Sequence, residues 1–493
     1  MTRKKGLAIN KWSDYLISFV FCLSISFILV LIDSSLFHWF LIPVLLCGVL
    51  IGIDAVIWFR GKIDVFNPIG IMGLIGVHFF FMAPQLHVLW QCWIQYIVPP
   101  GDWRPWLGGM AALNSLGLIV YRCSLHFFSD FGLNPAGKSL WTIDQRTFPF
   151  VWIISLFITG MLQFFVYLHF GGIGDFISRF EQGERGMLSG MGWLFMISES
   201  FPILAIMGVS VLLKDSKLMK SWTVITVIVV IFFVLKMLFG GLRGSRSNTL
   251  WGIFWAAGII HLWIRPIPKK AVLVGIGLLT IFMYVYGFYK SVGTEALTAF
   301  EGSEARAKLS QQTGRSLEGT ILGDLGRSDI QAFLLYRLYT RPDAYEYSLG
   351  RTYLASLAIL VPRTIWPDRP STKVREGTIL QYGENAYIPG RFTSSRVYGL
   401  AGEFMLNFGY YLVPLSFVIL GFTAAKIQNM YRSLDSSDSR LLLLPFFNIF
   451  LLILLISDSD NIIFYLVKNG VIPFLVIFSS SKIYRRNISA SSE

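Results

Sequence analysis

Apolar runs of about 20 residues, the length that carries an α-helix across a bilayer, recur along this chain. They lie near 13–32, 36–59, 67–90, 105–121, 148–169, 191–213, 221–239, 248–264, 271–289, 397–422, 441–457 and 462–480. Lipid offers the backbone no hydrogen-bonding partner, so such segments are restricted to helices. Composition agrees. Hydrophobic residues make up 54% and charged residues 14%, against about 25% charged in an ordinary soluble domain. The expected fold is all-α and polytopic, with about twelve transmembrane helices.

Charge orders these runs, because cytoplasmic loops accumulate Lys and Arg. With the N-terminus inside, the inner segments hold 21 of the 42 Lys and Arg, among them Arg60, Lys62, Arg122, Lys214, Arg265, Arg440 and Lys482. The short outer loops hold Arg104, Arg179, Arg185, Arg243 and Arg246. Both termini are therefore expected in the cytoplasm. The opening Arg3-Lys4-Lys5 and the apolar run after it imitate a signal peptide, but no small-residue cleavage site follows. We read the segment as a retained first helix. The net charge of +13 reflects this topology, and no nucleic-acid partner is expected. Of the four cysteines only Cys92 falls in an outer loop, so no disulfide framework is implied. No Cys–His cluster offers a metal site, and neither metal nor cofactor is expected.

The chain divides into helices 1–9 over 1–289, a large outer loop over 290–396, and helices 10–12 with the C-terminus over 397–493. Long loops translocate despite their charge, so the fourteen Lys and Arg of 290–396 do not disturb the topology. Inside the loop, Ile330, Phe333, Leu334 and Leu338 share one helical face. That pattern suits a helix lying on the membrane surface or on the bundle. The apolar stretch 353–361 is too short to span and reads as a re-entrant or interfacial piece. No two-half repeat is visible.

Three stretches can carry chemistry. The first, Gly240 to Asn248, contains Arg243, Arg246 and three glycines at the expected outer end of a helix. Glycine lets backbone N–H groups approach an anion, helix N-termini favour negative charge, and guanidinium forks match phosphate oxygens. Ser247 or Asn248 can cap the helix that follows. The reading is a diphosphate site at the interface; the alternative is a tight turn whose arginines meet headgroups or water. The second, Val361 to Pro370, holds Arg363 and Arg369 in a proline-stiffened segment with Trp366 at an interfacial position. It is either an anion grip or a rigid turn. The third, Gly390 to Gly409, places Arg391 and Arg396 before a helix carrying Glu403 and Asn407. A carboxylate two turns inside a membrane helix avoids lipid, and burial raises its pKa while a nearby Arg lowers it. Glu403 is either a general base or half of a structural ion pair.

Other intramembrane charges stand alone in the sequence. Glu199 can line the same cavity, Lys236 and Lys468 are expected to snorkel outward, and Asp54 is read as structural. Any one of His38, His87 and His169 could be a base, but a lone His in such a helix is more often a satisfied polar residue. The chain has no Walker motif and no cytoplasmic domain, so any chemistry is expected to use a substrate already activated and delivered at the outer face.

The chain resembles the Wzy-type O-antigen polymerases, which join oligosaccharide repeat units. The residues carrying the resemblance are Gly244-Ser245-Arg246-Ser247, the Pro362 to Pro370 stretch, and Gly402-Glu403-Phe404 with Asn407-Phe408-Gly409. Their order, and a large outer loop before the last three helices, also match. The resemblance implies a GT-C-like glycosyltransferase in the bacterial inner membrane, its large loop periplasmic. It uses undecaprenyl-diphosphate-linked glycans without nucleotide or metal, and a chain-length regulator is an expected partner beside membrane lipid. Residue by residue, it implies that Arg243 and Arg246 hold one diphosphate. Arg363, Arg369 and Arg396 hold the other or shape the cavity, with Arg391 and Asn407 beside the glycan. Glu403 orients the acceptor or takes its proton. The competing readings are an O-antigen ligase, which relies on a loop histidine that 290–396 lacks, and a lipid-linked oligosaccharide flippase, whose loops are usually short.

Overall fold

A computed structural model describes residues 12–130, 139–181, 191–243, 246–361, 365–388 and 396–485. These residues are helical apart from turns, connecting segments and one two-stranded ribbon. Among them nine helices are long and apolar enough to cross a bilayer: Trp12–Ile32, Leu41–Phe59, Pro68–Trp90, Thr147–His169, Gly192–Leu212, Trp222–Arg243, Lys269–Tyr289, Tyr410–Ser433 and Ser459–Ser479. They mark a multi-pass membrane protein. The other three expected runs are helical too. Arg104–Asp130 and Arg246–Ile259 are diluted by polar residues such as Asn114, Arg122, Asn248 and Thr249, and Leu444–Ile456 has only 13 residues.

The run expected over 397–422 is not continuous. A helix Gly399–Phe408 ends at Gly409, whose φ of +83° is open to glycine and strained for other residues. A tight turn over Tyr410–Leu412 follows, and Pro414 sits in the first turn of the next helix, where its missing N–H does no harm. Glu403 therefore lies on a short separate helix rather than two turns inside a spanning one.

The chain forms two compact units. The first comprises 1–132, 321–429 and 450–464. Two carboxylates buried in its spanning helices are ion-paired, as apolar surroundings favour. Asp54 accepts from Arg122 at 2.8 Å, and Asp14 is held by Arg60 and Lys62, each at 2.6 Å. The helix Ser328–Thr340 buries Ile330, Phe333, Leu334 and Leu338. It packs on Arg104–Asp130 and Gly399–Phe408, so it belongs to the bundle and not to the membrane surface. The stretch near 353–361 forms the short helix Arg351–Ala358.

The second unit comprises 133–320, 430–449 and 465–493. The loop expected over 290–396 thus divides, its first 31 residues (290–320) counting with the second unit and 321–396 with the first. In the second unit Ser139–Ile143 pairs antiparallel with Ser481–Arg485, Ser139 opposite Arg485. Two of its basic residues rest on indole rings: Lys214 lies 3.8 Å from the Trp263 centroid and Arg265 lies 4.2 Å from that of Trp222.

Candidate functional site

In the second unit, helices that read as apolar bring four charged side chains to one point. Glu199 sits where Gly192–Ser198 gives way to Phe201–Leu212, and it is 1% exposed. Its carboxylate forms ion pairs with Arg243 and Lys468 and accepts from Asn248 Nδ2. Its backbone carbonyl accepts from Lys236 Nζ at 3.4 Å. Lys236 is wholly buried. Neither lysine snorkels: with a carboxylate and a carbonyl inside the bundle, both side chains turn inward. A Cβ at Gly240 would stand 3.1 Å from Glu199 Cδ, so a glycine here lets the turn close over the carboxylate.

Apolar packing fixes this cluster. The Arg243 guanidinium lies 3.6 Å from the centre of the Phe195 ring, which packs with Val166, Tyr167, Phe170 and Phe176. Tyr286 and Tyr289 donate to the carbonyls of Gly241 and Leu242 and hold the turn from the other side. Asn248 gives its amide to Glu199 rather than capping its own helix, and Ser247 is exposed. Arg246 opens the helix Arg246–Ile259, half-buried. Its Nη1 and that of Arg315 lie 3.7 and 3.5 Å from where a Gly287 Cβ would be. Arg315 was not marked by the sequence, because nothing local joins it to the glycine-rich turn. Gly244 and Ser245 lie outside the described residues.

The first unit holds a different cluster, around Glu403. This carboxylate is 2% exposed and has no cation on it. It accepts from Thr352 Oγ1 at 2.8 Å, Ser459 Oγ at 2.6 Å and the Ser459 amide at 2.7 Å. The expected Arg partner is absent among the described residues, so burial dominates. Burial and the neighbouring Asp458 carboxylate raise its pKa from 4.5 to about 7, against the lowering pull of its donors. A carboxyl poised there can take or give a proton near neutral pH. Ser459 Oγ also meets Ser356 Oγ at 2.6 Å, extending the hydroxyl chain.

Asn407 is the frame of this cluster. It donates to Thr352 Oγ1 and to the Glu403 carbonyl, both at 2.8 Å, and accepts from the Gly350 amide at 2.9 Å. Asp458 accepts from the amides of Tyr398 and Gly399 at 2.9 and 2.8 Å, at the positive end of Gly399–Phe408, and pairs with Lys373. Arg396 bonds Gln381 Oε1 at 2.9 Å and the Gln95 carbonyl at 2.6 Å. Arg369 folds back onto the carbonyls of Ile359 and Val361 at 2.8 and 2.7 Å, just past the helix Arg351–Ala358. Arg363 and Arg391 lie outside the described residues.

Sequence reading missed Thr352, Lys373, Asp458 and Ser459. A signal existed: Ser457 to Asn461 is a wholly polar string with two carboxylates between two apolar runs. Of the three marked histidines, His87 meets the Cys92 carbonyl through Nδ1 and lies 3.9 Å from Asp329 through Nε2. His38 Nδ1 accepts from the Phe40 amide at 3.3 Å, and His169 packs edge-on against Phe170. Compared with protein-family models, curated proteins and solved structures, the chain finds no match.

Proposed function

We propose that this protein is a glycosyltransferase that polymerises undecaprenyl-diphosphate-linked oligosaccharide repeat units at the periplasmic face of the bacterial inner membrane. The product would be an O-antigen or a related surface polysaccharide. The observation that carries this reading is the surplus of cations in the second unit. Arg243 and Lys468 share the Glu199 carboxylate inside an apolar bundle, and Lys236 meets only the Glu199 backbone carbonyl. Buried charge without compensation costs several kcal/mol per ion, about enough to demand an anion. A lipid diphosphate meets that demand at a depth a soluble nucleotide does not reach. The first unit supplies a carboxylate, Glu403, that changes protonation near pH 7, as a general base for a sugar hydroxyl should.

In the reaction, the acceptor hydroxyl oxygen attacks the anomeric carbon of the donor glycan. The hydroxyl proton passes to a base, and the anomeric carbon–oxygen bond breaks with its electron pair left on the diphosphate. Cations near that oxygen stabilise the charge as it develops. Nine apolar helices of spanning length among the described residues support a multi-pass membrane protein; the reading is a GT-C-like polymerase with about twelve membrane helices and both termini cytoplasmic.

The test uses purified protein and lipid-linked repeat units. Arg243→Ala and Arg246→Ala should each abolish chain extension; full polymer length in both would sink the assignment. Expression in a strain that accumulates single repeat units should restore a ladder. A flippase or a ligase would not.

A further inference from the structure

The charge count around Glu199 carries a more specific conclusion, resting on the reading of that cluster as a diphosphate grip. Arg243 and Lys468 pair with the Glu199 carboxylate and Lys236 with its backbone carbonyl, so with all three protonated the cluster has two positive charges over. A diphosphate diester, with lipid on one phosphate and glycan on the other, carries two negative charges. After transfer the diphosphate is a monoester and carries about one charge more near neutral pH. We infer that Glu199 is a specificity-determining counter-ion: by cancelling one of three cations it fits the cluster to a diphosphate diester and disfavours the monoester product. It acts through the cations and touches no reacting atom, so it is a positioning residue.

Two further observations point to an anion at this place. Arg243 Nε and Thr249 Oγ1 are buried and have no hydrogen-bond partner among the described residues. Both lie beside the glycine turn, Thr249 Oγ1 only 3.3 Å from where a Gly241 Cβ would sit. An unmet buried guanidinium donor is costly unless a ligand oxygen completes it. Phe195 explains why Arg243 keeps that donor free, since the ring holds the guanidinium by its face and takes none of its N–H groups. Glu199 and Lys468 also sit at irregular points of their helices. Pro202 follows Glu199 by three residues and cannot donate into the helix, and Lys468 lies in the π turn Leu466–Gly470. Both side chains can therefore adjust without unwinding a regular helix.

The experiment measures a ratio of affinities, which a merely structural role would not move. Purified full-length protein in lipid nanodiscs is titrated with farnesyl diphosphate, a monoester, and with its methyl ester at the second phosphate, a diester. Glu199→Gln should shift the preference toward the monoester by about tenfold, because removing one negative charge favours the ligand with the extra one. Glu199→Asp should keep the preference of the unaltered protein. The double variant Glu199→Gln with Lys468→Gln restores two surplus charges and should return the ratio, while relieving the uncompensated cation that threatens folding of the single variant. An unchanged ratio in Glu199→Gln, with both ligands bound, overturns the role of Glu199 alone. No binding of either farnesyl ligand by the unaltered protein overturns the diphosphate reading with it. Inorganic pyrophosphate, run in parallel, should bind more weakly; equal affinity would mean a site for free anions and would overturn the lipid-borne ligand.

Discussion

Glu199 and Glu403 are the same residue type at the same depth of burial, and their surroundings are opposite. Glu199 faces Arg243 and Lys468, with Lys236 on its own carbonyl. Glu403 faces two hydroxyls, an amide and the field of another acid. Burial alone therefore says little about a carboxylate's work. A carboxylate paired with cations holds charge in place. One among hydroxyls with an acid nearby is easily protonated and can move a proton. The protein keeps one of each, in different units.

The contrast is broken most directly by neutralising each. Glu199→Gln leaves Arg243 and Lys468 without their carboxylate and should lower unfolding free energy by about 3–5 kcal/mol. Glu403→Gln keeps an acceptor for the Thr352 and Ser459 hydroxyls but loses the one for the Ser459 amide, and should cost about 1–2 kcal/mol. Denaturant unfolding in detergent at pH 7 measures both, and equal losses would erase the distinction. The pH dependence sharpens it. Glu403 titrates at 4.5 when unfolded and at about 7 when folded. Across that window the native state binds more protons than the unfolded one, so stability falls as pH rises. The full effect is on the order of 3 kcal/mol, present below the unfolded value and lost through the folded one. Glu403→Gln should remove this component of the slope. A slope between pH 4.5 and 7 that survives the substitution unchanged would assign it to other groups.

If Glu403 is the base, Glu403→Gln should also slow chain extension by on the order of a hundredfold at neutral pH, with little loss of fold. In the unaltered protein extension should rise through pH 7, as the carboxylate form fills. Arg369 gives a smaller test. Its guanidinium closes two carbonyls at the end of Arg351–Ala358, so Arg369→Ala should lower stability by about 1–2 kcal/mol and reduce extension only in proportion. A deep loss of extension with stability intact would instead make Arg369 part of the diphosphate grip.

How far these sites could be read from the sequence follows from the range of the forces involved. Lipid imposes its length requirement on each segment separately, so the spanning runs stand out locally. The break at Gly409 was also written locally, in the glycine and in Pro414, but an average over 20 or so apolar residues conceals it. Glu403 was visible as a carboxylate in an apolar run. Its donors, Thr352 and Ser459, lie more than 50 residues away on either side, and no periodicity links them. Lys236 and Lys468 illustrate the same limit. Each alone looks like a side chain reaching for the interface, and only the fold brings both to Glu199, where pairing inside the bundle replaces snorkelling.

The finest test of the contrast leaves both carboxylates in place and changes one donor. Thr352 Oγ1 gives Glu403 a hydrogen bond and receives one from Asn407. Bonds of this kind favour the charged form and pull against burial and Asp458. Thr352→Val keeps the shape and removes the bond. Glu403 should then titrate at still higher pH, and the rise of chain extension should move to the alkaline side with its plateau little changed. Ser459→Ala removes one hydroxyl bond but spares the Ser459 amide, so its displacement should run in the same direction. Nothing comparable should follow from Asn248→Ala beside Glu199, where Arg243 and Lys468 still pair with the carboxylate. A shift of the pH profile in Asn248→Ala, and none in Thr352→Val, would reverse the roles assigned to the two carboxylates.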